Sequence, residues 1–351
     1  MTNRSKIKVL VVDDTRFMRK AVSRFLSSDA DIEVVAAARN GLESLDMIRN
    51  LEPDVITLDI DMPVMDGLTA IKHIMIRKPV PIVVLSSMVA DGIVTFEALR
   101  LGVMDFVPKP SGAISTDIDK TKHQVISRVK IACSMTLKNV RRVRLPKKWD
   151  MGRRLDELYH FYPLDYVVVI GTTLSGPNTV IRLLSKLSPT LPAAIVVLQE
   201  ISPKIIESFT NQFNRYVPWR VDMARDRTVL EQGGCYICSN ENSLTFEMNE
   251  TGDICLRVGD ATDYPLDLFF SSAARIFHQN TVGILLSGVG NDGADGFSDI
   301  KRASGTTMAK AEECCVFPNL TENAIRKGVV DIILNDDKLS GAIEAVIRNA
   351  Q

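Results

Sequence analysis

The chain alternates short apolar runs with segments of helical periodicity. In the first part the apolar runs are KVLVV (8–12), IEVVAAA (32–38), DVITL (54–58), PIVVLS (81–86) and DFV (105–107). Between them, apolar residues such as Phe17, Val22 and Phe25 share one helical face. Regular alternation of strands and helices predicts a parallel sheet covered by helices on both faces. With five strands, we predict a flavodoxin-like domain with strand order 2-1-3-4-5.

A second alternating region begins at Asp165. Its apolar runs are YVVVI (166–170), AAIVVL (193–198), VGILLS (282–287), GTTMA (305–309) and VVDIIL (329–334). They predict a second parallel sheet, in a Rossmann-like α/β domain. Residues 233–258 break this rhythm with short alternating runs separated by turn residues. We interpret this segment as β-hairpins inserted at the edge of the sheet.

A basic segment separates the two regions. Residues 138–154 carry eight basic side chains against one acidic side chain, with one Pro and one Gly. This composition is typical of an exposed linker, and docking onto an acidic partner is the alternative. We predict a first domain at 1–125, a linker at 126–162 and a second domain at 163–351.

The length and net charge of the chain limit the classes of protein to which it could belong. The chain has 351 residues, enough for two cores, and its formal net charge of −1 gives no general attraction to nucleic acid. No apolar stretch approaches the ~20 residues of a membrane helix. The N-terminus has no hydrophobic signal core. We therefore expect a cytoplasmic protein that neither inserts into a membrane nor binds nucleic acid.

The six cysteines show no disulfide framework, as expected in a reducing compartment. Cys235 and Cys238 form a C-x-x-C pair, a spacing found in redox and zinc sites. This segment has a strand pattern, and positions i and i+3 of a strand point to opposite faces. We interpret the two cysteines as packing residues.

Polar residues follow each strand of the first predicted sheet except the second. Because the carboxyl ends of parallel strands share one edge, these residues are expected to meet. Carboxylates crowded at one edge repel each other unless a cation joins them, and oxygen ligands favour Mg²⁺. The candidate metal ligands are Asp13, Asp14, Asp59 and Asp61, and the candidate phosphoryl contacts are Ser86 and Lys109.

This edge has the groups needed for phosphoryl transfer. Asp59 can attack a phosphoryl donor as a carboxylate nucleophile. The metal ion and the Lys109 ammonium would offset charge on the transferring oxygens. The Ser86 hydroxyl can then donate a hydrogen bond to the attached phosphoryl group.

Residues 6–125 resemble the receiver domain of two-component response regulators, through "VVDDTRF", "TLDIDMPVMDG", "VVLSSM" and "FVPKP". The resemblance implies that Asp59 accepts a phosphoryl group from a histidine kinase. It also implies that Phe106 is an aromatic switch that moves inward when Ser86 engages the phosphoryl group. Without the family context, Phe106 would be taken as a half-buried core residue.

Three polar residues follow strands of the second predicted sheet. Thr173 follows the first strand, Glu200 the next, and Asp292 lies in a glycine-rich turn after a later one. Their order and spacing resemble the catalytic domain of the chemotaxis protein-glutamate methylesterases, the CheB family. The resemblance covers residues 163–350 and includes "GVGNDGADG", "YPLDLFFSSAA" and "IRKGVVDIIL".

Two catalytic positions depart from that family. Its members carry Ser-Thr-Gly-Gly, with the serine as nucleophile, where residues 173–176 read TLSG. They carry Gln-His-Met-Pro, with the histidine as base, where residues 199–202 read QEIS. A glutamate is a weaker base than an imidazole, and the β-branch of Thr173 restricts its hydroxyl. Only the acid of the triad, Asp292, is retained.

We therefore expect a response regulator phosphorylated by a chemotaxis-type histidine kinase, with a degenerate second domain that binds chemoreceptor helices. The alternative is an active protein-glutamate methylesterase and glutamine deamidase that uses Thr173 and Glu200. A DNA-binding response regulator is disfavoured, because no helix-turn-helix or basic recognition helix follows the linker.

Overall fold

The structure is a computed structural model that describes residues 6–86, 92–109, 116–140, 164–174 and 176–349. It divides the chain into two compact units, residues 1–142 and 143–351. Each unit is described by itself.

The first unit contains a five-stranded sheet. Its strands are all parallel, in the order β2-β1-β3-β4-β5, which confirms the predicted topology. Every residue of β3 and β4 is buried, as expected for strands covered on both faces. The strands are β1 (Ile7–Val12), β2 (Ile32–Ala38), β3 (Val55–Leu58), β4 (Ile82–Ser86) and β5 (Asp105–Pro108).

Five helices surround this sheet. They are α1 (Arg16–Ser27), α2 (Gly41–Leu51), α3 (Gly67–Arg77), α4 (Gly92–Leu101) and α5 (Thr116–Cys133). Helix α5 continues for about two turns beyond residue 125, where the first domain is predicted to end. Val125, Val129 and Ala132 are fully buried at helical spacing and anchor this part of α5. Most of the predicted basic linker, from residue 141 onward, lies outside the described residues.

The second unit is built on a parallel sheet of seven strands, in the order β14-β13-β12-β6-β7-β9-β8. All residues of the central strands β6 and β7 are buried. The strands are β6 (Tyr166–Thr172), β7 (Ala193–Gln199), β8 (Arg220–Met223), β9 (Gly234–Ser239), β12 (Thr281–Leu285), β13 (Thr306–Lys310) and β14 (Ile332–Leu334).

The prediction of edge hairpins in residues 233–258 is correct for only part of the segment. Strand β9 lies inside the main sheet, parallel to both β7 and β8. All six of its residues are buried, so its sequence does not alternate as an edge strand would. Only β10 (Ser243–Met248) and β11 (Ile254–Gly259) form a hairpin, and they make a separate two-stranded antiparallel sheet.

Helices cover this second sheet, and phenylalanines fill the space beneath α8. Phe269 and Phe270 of α8 have ring centroids 5.4 Å apart, and Phe297 of α9 lies 4.9 Å from Phe270. The helices are α6 (Gly176–Leu184), α7 (Pro203–Phe213), α8 (Pro265–Phe277), α9 (Ala294–Arg302), α10 (Asn319–Arg326) and α11 (Asp336–Asn349). Within the described ranges, no helix combines the length and apolarity of a bilayer crossing.

Two further features of this unit concern buried polar groups. Cys235 and Cys238 are buried and form no disulfide, and burial raises the pKa of the Cys238 thiol to about 12, as expected of packing residues. Lys310, at the end of β13, is 0% exposed. Its ammonium lies 3.0 Å from the carboxylate of Asp336, the first residue of α11.

Candidate functional site

Three carboxylates meet at the carboxyl edge of the first sheet. One oxygen from each of Asp13, Asp14 and Asp59 lies within 4.8 Å of the others. Asp13 and Asp59 are buried, whereas Asp14 is exposed. Asp61 is also exposed and lies outside this group, so its carboxylate is not brought to the predicted metal site. The three grouped carboxylates have the oxygen chemistry that a hard divalent cation prefers.

Lys109 joins the two buried carboxylates. Its ammonium lies 2.6 Å from Asp59 Oδ2 and 2.8 Å from Asp13 Oδ2. Burial raises the pKa of Asp59, although the Lys109 ammonium acts to lower it. The pKa of Lys109 is raised too, because its bonds to Asp13 and Asp59 outweigh the opposing effect of burial. The Lys109 ammonium therefore binds two carboxylates. With Asp14 included, the group of three aspartates and one lysine keeps a net negative charge.

The loops at this edge are held by their own backbone. The carboxylate of Asp59 accepts a hydrogen bond from the N–H of Ile60 at 2.8 Å. The loop after β3 then folds back, and the N–H of Gly67 donates to the Ile60 carbonyl at 2.8 Å. A Cβ at Gly67 would lie 2.3 Å from the Asp59 carbonyl oxygen, so this close approach requires glycine. The loop thus fixes the backbone of Asp59.

The two remaining residues predicted for this site lie on β4 and β5. Ser86 ends β4, is buried, and its carbonyl accepts a hydrogen bond from the N–H of Lys109 at 3.0 Å. Phe106 is half-buried on β5, where it pairs with Val84 and packs against the core. The structure thus brings Ser86 beside the lysine that holds Asp59. The predicted movement of Phe106 remains a prediction.

In the second unit, Thr173 and Glu200 lie at neighbouring strand ends, because Thr172 of β6 pairs with Gln199 of β7. The Thr173 hydroxyl contacts the loop between β12 and α9. It accepts a hydrogen bond from the Val289 N–H at 2.7 Å and donates to the Val289 carbonyl at 3.1 Å. Its proton is therefore directed at a backbone carbonyl.

Asp292 closes the same loop and binds the start of α8. Its two carboxylate oxygens accept hydrogen bonds from the N–H groups of Leu266 at 2.7 Å and Asp267 at 2.9 Å. Burial, aided by the neighbouring Asp267, raises the pKa of Asp292 to about 6. A carboxyl group with such a pKa titrates near the pH range in which general acids and bases work.

Sequence patterns did not indicate the hydroxyl groups that join these loops. Thr172 donates to the Ser287 carbonyl at 2.6 Å. The side-chain hydroxyl of Ser287 accepts hydrogen bonds from the N–H groups of Val316 and Phe317 at 3.0 and 2.9 Å. The loops after β6, β12 and β13 are thereby tied together. The only available signal was the pair of adjacent threonines, which alone does not predict their partners.

No histidine among the described residues of the second unit lies beside this site. His278 follows the last residue of α8, whereas Asp292 binds the first turn of that helix. His160 and Ser175 lie outside the described residues. Thr173 and Glu200 thus lie at neighbouring strand ends, Asp292 lies in the loop that binds Thr173, and a carboxylate stands at the predicted position of the base.

Comparison with known proteins identifies the family. A model of the CheB methylesterase family matches residues 168–343, and a model of the response regulator receiver domain matches residues 9–116. The chain belongs to the CheB methylesterase family. The resemblance predicted from the sequence, with a receiver domain ahead of a methylesterase-type domain, is confirmed.

Relatives match this family member over nearly its whole length. A "Protein-glutamate methylesterase/protein-glutamine glutaminase" from Geobacillus kaustophilus is 36% identical over 348 residues, which are 97% of this chain and 99% of the relative. A protein of the same name from Caldanaerobacter subterraneus is 33% identical over 354 residues, or 96% of this chain and 95% of the relative. These names favour the enzymatic alternative and do not support the expectation of a degenerate, binding-only domain.

A solved structure also matches about half of this CheB family member. The crystal structure of the Thermotoga maritima CheB methylesterase catalytic domain has 27% sequence identity and a TM-score of 0.48. The match covers 52% of this chain and 98% of that structure.

Proposed function

We propose that this protein is a chemotaxis response regulator that a histidine kinase phosphorylates on Asp59. We further propose that its second domain acts, in the cytoplasm, on methylated glutamyl side chains of chemoreceptor helices, as a slow methylesterase and glutamine deamidase. The observation that carries this proposal is the match to the family over nearly the whole chain. The Thr173 hydroxyl, at the strand end where the family has its nucleophile, is the supporting structural feature.

The receiver site provides the groups for phosphoryl transfer. The Asp59 carboxylate attacks phosphorus as the bond to the kinase histidine breaks, which leaves an acyl phosphate on Asp59 and a free imidazole. Lys109, already beside Asp59, offsets charge on the phosphoryl oxygens, and Ser86 donates a hydrogen bond to one of them. Asp13, Asp14 and Asp59 would hold Mg²⁺, which supplies further charge neutralisation.

Hydrolysis in the second unit would begin at the Thr173 hydroxyl. Its oxygen attacks the ester carbonyl while its proton passes to a base, and the departing methoxide takes up that proton and leaves as methanol. Water then hydrolyses the acyl-threonine ester, which releases the glutamate carboxylate and restores the Thr173 hydroxyl. The hydroxyl proton must first leave the Val289 carbonyl and pass to a carboxylate, for which Glu200 is the candidate. Loss of one triad member typically costs on the order of 10⁴–10⁶ in turnover, so we expect slow hydrolysis.

A second candidate function is binding of the same receptor helices without hydrolysis. The specific observation in its favour is the hydrogen bond that directs the Thr173 proton to the Val289 carbonyl. The replacement of the family histidine by Glu200 acts in the same direction, because a carboxylate is a weaker acceptor for that proton than an imidazole.

The test is methanol release from methylated receptor helices, measured with the full chain before and after treatment with acetyl phosphate. Turnover that disappears in Thr173→Ala supports hydrolysis. Binding without turnover supports the second candidate, and absence of both contradicts the proposed substrate class. The double change Thr173→Ser and Glu200→His restores the family chemistry and should raise turnover at least ~100-fold.

Phosphorylation is tested separately by intact-mass measurement after incubation with acetyl phosphate and Mg²⁺. Asp59→Asn should remove the phosphoryl adduct, because an amide is not a nucleophile at this site. Asp61→Asn is the matched control, since Asp61 is exposed and outside the carboxylate group. An adduct that persists in Asp59→Asn would place the phosphoryl group elsewhere.

A further inference from the structure

Two aspartates link the first turns of α8 and α9, each binding the other's helix. Asp292 precedes α9 and accepts from the N–H groups of Leu266 and Asp267 at the start of α8. In return, Asp267 Oδ1 accepts from the N–H of Gly296 at the start of α9, at 2.8 Å. Each carboxylate pairs with backbone donors that the other helix leaves free, where the helix dipole favours negative charge. We call these contacts the exchanged caps.

The two helix starts approach closely enough to require glycine. A Cβ at Gly296 would lie 2.6 Å from the Phe270 Cβ and 2.8 Å from the Asp267 carbonyl oxygen. Gly293, the residue before α9, has a φ of +97°, a conformation that L side chains rarely adopt. The exchanged caps are therefore part of a specific packing arrangement, not a chance contact of surface carboxylates.

The exchanged caps hold one end of the loop that contacts Thr173. The loop runs from the end of β12 to α9 and includes Val289, whose N–H and carbonyl both bind the Thr173 hydroxyl. Ser287 fixes the other end through Phe317. We propose that Asp267 is a positioning residue, which fixes Asp292 and thereby holds Val289 against Thr173. This inference rests on the proposed function of the site, although its test does not use turnover.

The neighbouring charged groups are engaged elsewhere. Asp295 in α9 forms an ion pair with Lys327. Asp299, also in α9, binds Arg302 and the hydroxyl of Ser271. Asp267, in contrast, is the charged group that adds to burial in raising the pKa of Asp292. A change at Asp267 should therefore be felt at Asp292, whereas a change at Asp295 should not.

The experiment compares Asp267→Ala, Asp267→Asn and the control Asp295→Asn in the full chain by NMR. Removing the charge in Asp267→Asn should lower the titration midpoint of the Asp292 carboxyl by about one pH unit. In Asp267→Ala, hydrogen exchange of the Val289 amide should become about tenfold faster, as expected for loss of a helix cap. Asp267→Asn should recover part of this protection, because its side-chain carbonyl can still accept from Gly296.

Any of three results would overturn the inference. The first is an unchanged Asp292 midpoint in Asp267→Asn. The second is unchanged Val289 exchange in folded Asp267→Ala, and the third is a change of equal size in Asp295→Asn. If Asp267→Ala does not fold, Val289 exchange in Asp267→Asn, compared with that in Asp295→Asn, decides together with the midpoint. Because both readouts are independent of hydrolysis, a chain without turnover that shows these shifts would contradict the proposed hydrolysis and leave the role of Asp267 supported.

Discussion

Replacing Lys109 by methionine should destabilise the receiver by an amount that depends on pH. The change removes the cation that lies 2.6 Å from Asp59 and 2.8 Å from Asp13, and it keeps a side chain of similar length. Lys109 itself is only 11% exposed, so solvent screens these ion pairs weakly. Two buried carboxylates would then share one site with no adjacent ammonium.

The size of the effect has an upper limit, because a carboxyl group can always take up a proton. The ordinary pKa of an aspartate is 3.8. Protonating one carboxyl at pH 7 therefore costs at most ~4.4 kcal/mol, from about 1.36 kcal/mol per pH unit. In the parent protein the pKa of Asp59 is already raised, so burial already destabilises its ionised form and the variant adds only the remainder of this cost. We expect the free energy of unfolding to fall by about 2–4 kcal/mol.

The loss of stability in the variant should depend on pH. The variant raises the pKa of Asp59 further, so the deficit is full above that raised pKa and disappears as the pH falls through it. Mg²⁺ should reduce the deficit by supplying positive charge. The assay is urea unfolding of the full chain at several pH values, with protection of β3 read by a brief deuterium pulse at one fixed pH. Lys72→Met, an exposed lysine on α3, is the control.

A deficit of the same size at pH 5 and pH 8, or one no larger than that of Lys72→Met, would refute this account. It would mean that the cluster does not depend on the charge of Lys109. The two buried carboxylates would then have to be stabilised by the hydrogen bonds of their own loops.

Three further outcomes follow from single contacts. Gly67→Ala should abolish phosphorylation measured by intact mass, because its Cβ would lie 2.3 Å from the Asp59 carbonyl oxygen. Thr172→Val should lower the free energy of unfolding, measured in urea, by about 0.5–1.5 kcal/mol, because it removes the hydrogen bond that the Thr172 hydroxyl donates to the buried Ser287 carbonyl, whereas Thr172→Ser should not. Cys133, which is exposed, should react with maleimide well before the buried thiols of the C-x-x-C pair, as peptide mapping would show.

Much of the fold could be predicted because its central strands are buried on both faces. Runs such as 166–170 and 193–198 are continuous and apolar, and the structure has fully buried strands at both places. The receiver site followed from the same pattern, since Asp13, Asp59 and Lys109 each directly follow a strand of a parallel sheet. Strand ends in such a sheet converge whatever the details of the loops.

What could not be predicted depends on contacts distant in sequence. The Thr173 hydroxyl binds backbone groups 116 residues away, and every residue type offers such groups. Likewise, β8 has only four residues, and its end residue Arg220 is exposed. The end of α5 was not predicted either, because no strand follows the helix to mark it, although its buried positions continue to Ala132. Only the three-dimensional arrangement of the chain shows these contacts.

The buried ammonium of Lys310 makes it possible to measure how often the C-terminal helix α11 detaches. It is 0% exposed, and its partner Asp336 is the first residue of α11. An amine-reactive reagent can therefore reach Lys310 only after this part of the protein has opened, whereas exposed Lys338 on α11 is always available. The ratio of acetylation at the two lysines, followed by mass spectrometry, would report how often the end of the chain detaches while the rest of the domain stays folded.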